Sequence, residues 1–228
     1  MSEFRMIKFE DLLKELDEHT FKQLHIHHTW KPTHKNFNGV NHFNIQTSMY
    51  NYHTKTLGWG NIGQHLTLFP DGKWLTGRPF GSTPASIKGW NTGALAVEMV
   101  GNFDTPGTGS YNDSGYDKLE GRQKEEILRL IKYFIDKYGE DSVVFHRDNP
   151  TAGKTCPGTS LDKDTMIKEA KTMNAQKEVE VKVDTPSPWA KEAWDWAIKN
   201  GITDGTRPKD NATREEIITM LYRTKGVK

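Results

Sequence analysis

The chain carries one cysteine, Cys156, in a stretch crowded with reactive side chains: Val143-Val-Phe-His-Arg-Asp-Asn-Pro-Thr-Ala-Gly-Lys-Thr-Cys-Pro-Gly158. His146 lies ten residues before the cysteine and Lys154 two before it. Thiolate and imidazole are zinc ligands, and a zinc ion held by three protein groups keeps a fourth position open for water. A third group of the right kind lies far upstream in Leu24-His-Ile-His-His-Thr-Trp30, where His25, His27 and His28 crowd together. Two histidines and a cysteine around an open position describe a hydrolytic site rather than a closed structural one. A lone cysteine is otherwise a small packed hydrophobe, so the inference rests on the whole set.

Such a set needs strands and turns to bring its members together. Ile7, Leu12, Leu13 and Leu16 predict a short amphipathic helix over residues 7–16. A strand over 21–28 places His25 and His27 on one face and His28 on the other, because strand side chains alternate. Residues 34–56, rich in His, Asn and aromatics, read either as a helix with a polar face followed by a loop or as the wall of a cleft. Residues 59–78 predict a hairpin about Pro70-Asp71-Gly72, with Leu66 and Leu68 alternating before the turn. The apolar run 94–100 predicts a central strand. Glu98 interrupts it, and a carboxylate is costly to bury unpaired. It either points to solvent at a strand end or faces the metal cleft.

Residues 105–116 read as a surface loop. Ile127, Leu128, Ile131, Phe134 and Ile135 predict a helix over 119–138 that stops at Gly139. A short strand over 143–146 delivers His146, the loop 149–155 returns Cys156 towards it, and a helix over 161–173 closes the domain. The expected fold class is α/β, a mixed central sheet flanked by helices over residues 1–172. Charged residues 173–186 read as a linker, within which 179–183 could extend as a strand. Residues 187–228 form a small helical unit, with helices over 189–200 and from Thr213-Arg-Glu-Glu216, a capping-box pattern, to Arg223. Residues 203–206 make the turn between them.

Lys and Arg number 31 against 30 Asp and Glu. No basic stripe stands out for phosphate contacts, so nucleic acid is not an expected partner. One cysteine excludes an internal disulfide. No apolar run is long enough to span a membrane, and the first ten residues lack the apolar region of a signal peptide. The expectation is synthesis in the cytoplasm, with another route out if the substrate lies beyond the membrane.

Taken together, Ile26-His-His-Thr29, Ile62-Gly-Gln-His65, Pro70-Asp-Gly72, Ala96-Val-Glu-Met-Val-Gly-Asn102, His146-Arg-Asp148 and Lys154-Thr-Cys-Pro-Gly158 resemble the motifs of zinc-dependent N-acetylmuramoyl-L-alanine amidases of the amidase-2 type. That family shares its fold with peptidoglycan recognition proteins and phage endolysins. The resemblance covers most of the first domain. It implies Zn2+ held by His27 (with His28 as the fallback), His146 and Cys156. It implies Glu98 and Lys154 as catalytic groups, the first moving a proton and the second stabilising an oxyanion. Gln64, Trp90 and Asn91 fall on the substrate side. Gln64 stands where many relatives have tyrosine; an amide can donate a hydrogen bond there but cannot act as an acid.

The implied partner is bacterial peptidoglycan. The implied reaction is hydrolysis of the amide joining muramic acid to L-alanine, as in a phage or prophage endolysin released through a holin-type pore. The alternatives are a non-catalytic recognition module, a class that commonly loses the cysteine, and a bacterial autolysin or muropeptide-recycling amidase. At the C-terminus, Ser187-Pro-Trp-Ala190, Gly201-Ile-Thr-Asp-Gly-Thr206, Pro208 and Thr213-Arg-Glu-Glu216 resemble one S-layer homology repeat. That resemblance implies contacts from Trp189 and Arg214 to a secondary cell-wall polymer. The alternative is that Trp189, Trp194 and Trp196 form the core of a small helical unit.

Overall fold

The computed structural model describes residues 4–108, 115–173, 186–203, 212 and 214–225. The chain divides into two compact units, Met1–Asn174 and Ala175–Lys228. In the first, β1 (Met6–Ile7), α1 (Phe9–Asp17), β2 (Gln23–His28), α2 (His42–Asn51), β3 (Leu66–Leu68) and β4 (Trp74–Thr76) precede β5 (Ala94–Met99), α3 (Gly121–Tyr138), β6 (Val143–Phe145) and α4 (Lys163–Thr172). The strands form one six-stranded sheet in the order β1-β4-β3-β5-β2-β6. The pairs β1/β4 and β4/β3 are antiparallel, and β3/β5, β5/β2 and β2/β6 are parallel. This is the mixed sheet flanked by helices that the sequence predicts.

Alternation along the strands sorts residues onto two faces. Leu24 and Ile26 of β2, Leu95, Val97 and Met99 of β5, Leu66 and Leu68 of β3, Trp74 of β4, and Val143 and Phe145 of β6 share one face. They pack into a single core with Leu12 and Leu16 of α1, Ile127, Leu130, Ile131 and Phe134 of α3, and Met166 and Ala170 of α4. Each such side chain contributes about 1.5–3 kcal/mol on full burial. The alternate residues, His25, His27, Ala96, Glu98, Thr67 and Leu75, point to the other face. There a smaller cluster of Ile45, Met49, Ile62, Phe69, Leu75 and Val100 lies beside α2.

Local signals set the boundaries. Gly72 turns the β3–β4 hairpin at φ 81°, with its N–H donating to Phe69 O at 2.9 Å. A Cβ there would lie 2.8 Å from Arg122 Cβ, so only glycine fits. α3 ends on Gly139 at φ 85°. The Asp162 side chain caps α4 by accepting from Thr165 N at 2.8 Å.

Two elements differ from the sequence expectation. The helix predicted over 7–16 begins only at Phe9, because Met6 and Ile7 form β1 and pair with Leu75 and Trp74. Residues 34–56 contain the helix read there, α2, but in place of the loop after it the chain continues as a π-helical turn, Tyr52–Thr56, whose His53 lines the cleft described below.

The second unit contains a 3-10 turn at Pro188–Ala190, α5 (Lys191–Lys199) and α6 (Arg214–Thr224). Ile202 is buried and its carbonyl accepts from Arg223 Nη1 at 3.2 Å. Trp189 is 88% exposed and Trp196 48%, so neither forms the core considered for them. Residues 174–185 of the predicted linker, with the strand within it, residues 204–206 of the predicted turn and Thr213 of the capping box lie outside the described residues, while Arg214, Glu215 and Glu216 open α6. No described helix is long and apolar enough to cross a membrane.

Candidate metal centre and active site

Parallel pairing of β2 with β6 aligns Ile26 with Phe145, so the next residues, His27 and His146, emerge side by side at the same end of the sheet. Their Nδ1 atoms lie 3.2 Å apart, and Cys156 Sγ lies 3.4 Å from His27 Nδ1. One donor atom from each of the three residues falls within 4.8 Å of the others. A tetrahedral zinc with Zn–N about 2.0–2.1 Å and Zn–S about 2.3 Å keeps such atoms about 3.3–3.6 Å apart. The donor set and the two distances from His27 Nδ1 therefore fit zinc.

The cysteine is returned to this point by a dense set of bonds. Arg147, next to His146, donates from its backbone N–H to Cys156 O at 2.9 Å and from its guanidinium to Gly158 O at 2.7 Å and to Leu161 O. The buried Asp104 accepts from Thr155 Oγ1 at 2.9 Å and from Thr159 N at 3.0 Å. Gly158, at φ 123°, passes so close to Phe103 that a Cβ would lie 2.5 Å from its carbonyl carbon. The loop between His146 and Cys156 is thus anchored at both ends.

Of the three upstream histidines, only His27 offers a nitrogen to this cluster. His28 points to the opposite face, where its Nδ1 accepts from Phe103 N at 3.1 Å and its ring stacks on Phe103. His25 is fully buried, with its two ring nitrogens 3.0 Å from Gln23 Oε1 and 3.0 Å from Ser86 Oγ. Desolvation holds His25 and His28 down to about 4, and His27 far below the ordinary histidine range with His146 adding to the effect. Burial also lowers His146, helped by nearby Lys154, and pushes the Cys156 thiol well up. Without metal the three donors are neutral, and the thiol must release its proton to become a ligand.

The cluster opens into a cleft of about 360 Å³. Glu98 lines it, in register with His27 on β2 and Thr67 on β3. Its carboxyl makes no hydrogen bond or ion pair with a described residue, and desolvation raises it to about 8. Of the two placements open to it, this is the one inside the cleft. Lys154 lies exposed on the same cleft.

Gln64 also lines the cleft. Its Nε2 donates to Thr67 Oγ1 at 3.0 Å, Thr67 Oγ1 donates to Gln46 Oε1 at 2.6 Å, and Gln46 Nε2 donates to Thr76 O at 3.1 Å. One of its two N–H donors is engaged by Thr67, Met49 Sδ lies 4.0 Å from the same nitrogen, and Gln64 Oε1 is left buried without a partner. Trp90 and Asn91 are not among the lining residues. Asn91 Oδ1 instead accepts from Ser86 N at 3.1 Å and Ile87 N at 2.8 Å, fixing the loop that carries Ser86.

Three lining residues carry no signal in the sequence reading. Trp30 stands at φ 57°, a left-handed conformation rare for a bulky residue. Trp59 stacks on His53 with centroids 4.7 Å apart. Ser86 Oγ lies 2.6 Å from His27 Nε2. Adjacency to Ile26-His-His-Thr29 was the available hint for Trp30. Trp189 and Arg214 both lie in the second unit, at the 3-10 turn before α5 and at the start of α6.

Several known proteins are similar to this chain. Peptidoglycan-recognition protein SC2 of Drosophila melanogaster is 32% identical over 113 residues, 48% of this chain and 54% of that protein. The endolysin of Enterobacteria phage K11 is 25% identical over 109 residues, 48% of this chain and 67% of that protein. The chain spans little more than half the length of the Drosophila recognition proteins it matches. Among solved structures, the amidase LysC from Clostridium intestinale superposes with a TM-score of 0.50 at 21% identity, covering 67% of this chain and 86% of that one, a likeness of fold. The family described as N-acetylmuramoyl-L-alanine amidase matches residues 17–159, a span that ends before the C-terminal helices. That span includes His27, Glu98, His146 and Cys156, and the chain belongs to this amidase-2 family.

Proposed function

We propose that this chain is a zinc-dependent peptidoglycan hydrolase that cleaves the amide between N-acetylmuramic acid and L-alanine. The observation that carries the reading is the convergence of His27 Nδ1, His146 Nδ1 and Cys156 Sγ in a cleft also lined by Glu98. Zinc, when bound, supplies Lewis acidity and brings the ionisation of a coordinated water to about pH 7. Glu98 takes the proton of the attacking water and passes it to the departing L-alanine nitrogen, a role suited to a carboxyl whose burial holds it near neutrality. Lys154 faces the developing charge on the carbonyl oxygen. Trp30 and Trp59 give the cleft flat apolar walls against which a sugar ring can rest.

A complete donor set favours hydrolysis over recognition alone, and the likeness to a phage endolysin favours a lytic role. For the C-terminal unit we propose wall-polymer binding of the S-layer homology kind. The support is Trp189, which stands 88% exposed, and the exposed Arg214, whose guanidinium suits an anionic saccharide.

The test is the appearance of free amino termini on purified cell walls. The zinc-loaded protein should release L-alanine amino termini, and a chelator or Cys156→Ser should abolish the release. Wall binding without new amino termini would overturn the hydrolase reading in favour of a recognition module. Separately, full-length protein carrying Trp189→Ala and Arg214→Ala should lose retention on polymer-bearing walls while still cleaving. Unchanged retention would remove the polymer role.

A further inference from the structure

Ser86 lies between the two histidines that share one face of β2. Its Oγ is 2.6 Å from His27 Nε2 and 3.0 Å from His25 Nδ1, and His25 Nε2 is 3.0 Å from Gln23 Oε1. Both rings are buried, His25 fully and His27 to 6% exposure, so these contacts are the partners their outer nitrogens have. A neutral imidazole has one N–H donor and one bare acceptor nitrogen, and a hydroxyl has a single proton to donate. The amide oxygen of Gln23 can only accept, which fixes the rest of the chain. His25 carries its proton on Nε2 and leaves Nδ1 bare. The Ser86 hydroxyl donates to that Nδ1 and offers its oxygen to His27. His27 must then carry its proton on Nε2.

We infer that Gln23, His25 and Ser86 form a one-way hydrogen-bond chain that fixes the His27 tautomer and so reserves its Nδ1 lone pair for the metal. The inference rests on the zinc reading of His27, His146 and Cys156. None of the three chain members is among the metal donors; they are positioning residues. The chain is itself supported, because Asn91 holds the Ser86 backbone in place. Outer partners of this kind change metal affinity about 10–100-fold when removed.

Two readouts independent of activity test it. In metal-free full-length protein, nitrogen-15 NMR of the His27 ring should show Nε2 protonated and Nδ1 bare; the reverse tautomer would overturn the inference. Zinc affinity, read by competition with a chromophoric chelator, should fall about 10–100-fold in Ser86→Ala. Ser86→Thr, which keeps the hydroxyl, should stay within about threefold of the parent. Gln23→Glu, whose carboxylate can only accept, should bind zinc at least as tightly as the parent, and weakening to match Ser86→Ala would overturn the inference; the direction of the chain itself is read by the nitrogen-15 experiment. Metal-free melting temperatures identify any variant weakened only by misfolding. If the parent protein itself fails to bind zinc, the hydrolase reading falls and takes this inference with it. If the parent binds and Ser86→Ala binds equally well, only the inference falls.

Discussion

On β2, Leu24 and Ile26 point into a face closed by α1, α3 and α4, while His25 and His27, one residue out of step, point into the face beside α2. The first face is filled almost wholly with hydrocarbon. The second buries His25, His27, Thr67, Gln46 and Gln64 and directs Glu98 into the cleft. Burying polar groups is tolerable only where hydrogen bonds replace lost water. Most are replaced, through the Gln64–Thr67–Gln46 chain and the Ser86 contacts. Gln64 Oε1 stays buried without a partner, and the half-buried Glu98 carboxyl makes no hydrogen bond with a described residue; both residues line the cleft. The same strands thus put hydrocarbon on one face and the polar groups of the cleft on the other, with side-chain alternation separating the two.

Mutations should separate them as well. Glu98→Gln should cut amide cleavage by about 10²–10⁴-fold while leaving zinc affinity near that of the parent, as read by turnover and chelator competition. It should also change the pH dependence of the metal-free fold. A carboxyl raised to about 8 contributes stability that is full below its unfolded value near 4.5 and is lost as pH rises towards 8. Denaturant titrations of metal-free Glu98→Gln should lose that downward slope.

On the opposite face, Ile26→Ala should cost about 2–5 kcal/mol in denaturant unfolding. The remaining folded molecules should still bind zinc, because the change lies on the side of β2 away from His27. An equal loss of affinity would show that the two faces are coupled.

Acid should act on the polar face. His25 and His65 are held at about 4, mainly by burial. His65 uses both ring nitrogens in neutral form, accepting from Ala96 N at 3.0 Å and donating to Ser82 O at 2.8 Å. A depressed histidine pKa favours the neutral fold above about 6.5, and that stability is lost as pH falls through 4. Replacing His65 with Gln should flatten the acid limb by on the order of 1–3 kcal/mol in unfolding experiments. An effect of similar size is expected from Thr67→Val. It breaks the chain between Gln64 and Gln46 and should cost roughly 1–3 kcal/mol in unfolding, since it strands a buried amide.

The sequence makes these faces legible to different degrees. His146 and Cys156 stand out because their chemistry is local, within one short stretch. Alternation separates His27 from His28, but choosing between them requires the β2–β6 register that sets His27 beside His146. α2 is legible only as one of two alternatives because its buried positions, His42, Ile45, Gln46 and Met49, follow helical spacing but are half polar. β1 has two residues and exists only through its pairing with β4. Ser86 is an ordinary loop serine until Asn91 and the sheet bring it between His25 and His27. The Gln64 amide could be judged able to donate, but only its neighbours reveal that Thr67 takes one of its two N–H groups.

The most direct test is to digest a defined muramyl peptide with the zinc-loaded protein in ¹⁸O-labelled water and locate the label by mass spectrometry. The account predicts ¹⁸O in the lactyl carboxylate of the muramic acid and an unlabelled peptide with a free L-alanine amino terminus. Label at a sugar carbon, or within the peptide, would mean that a different bond is cut and would contradict the assignment of this cleft to the muramoyl–alanine amide.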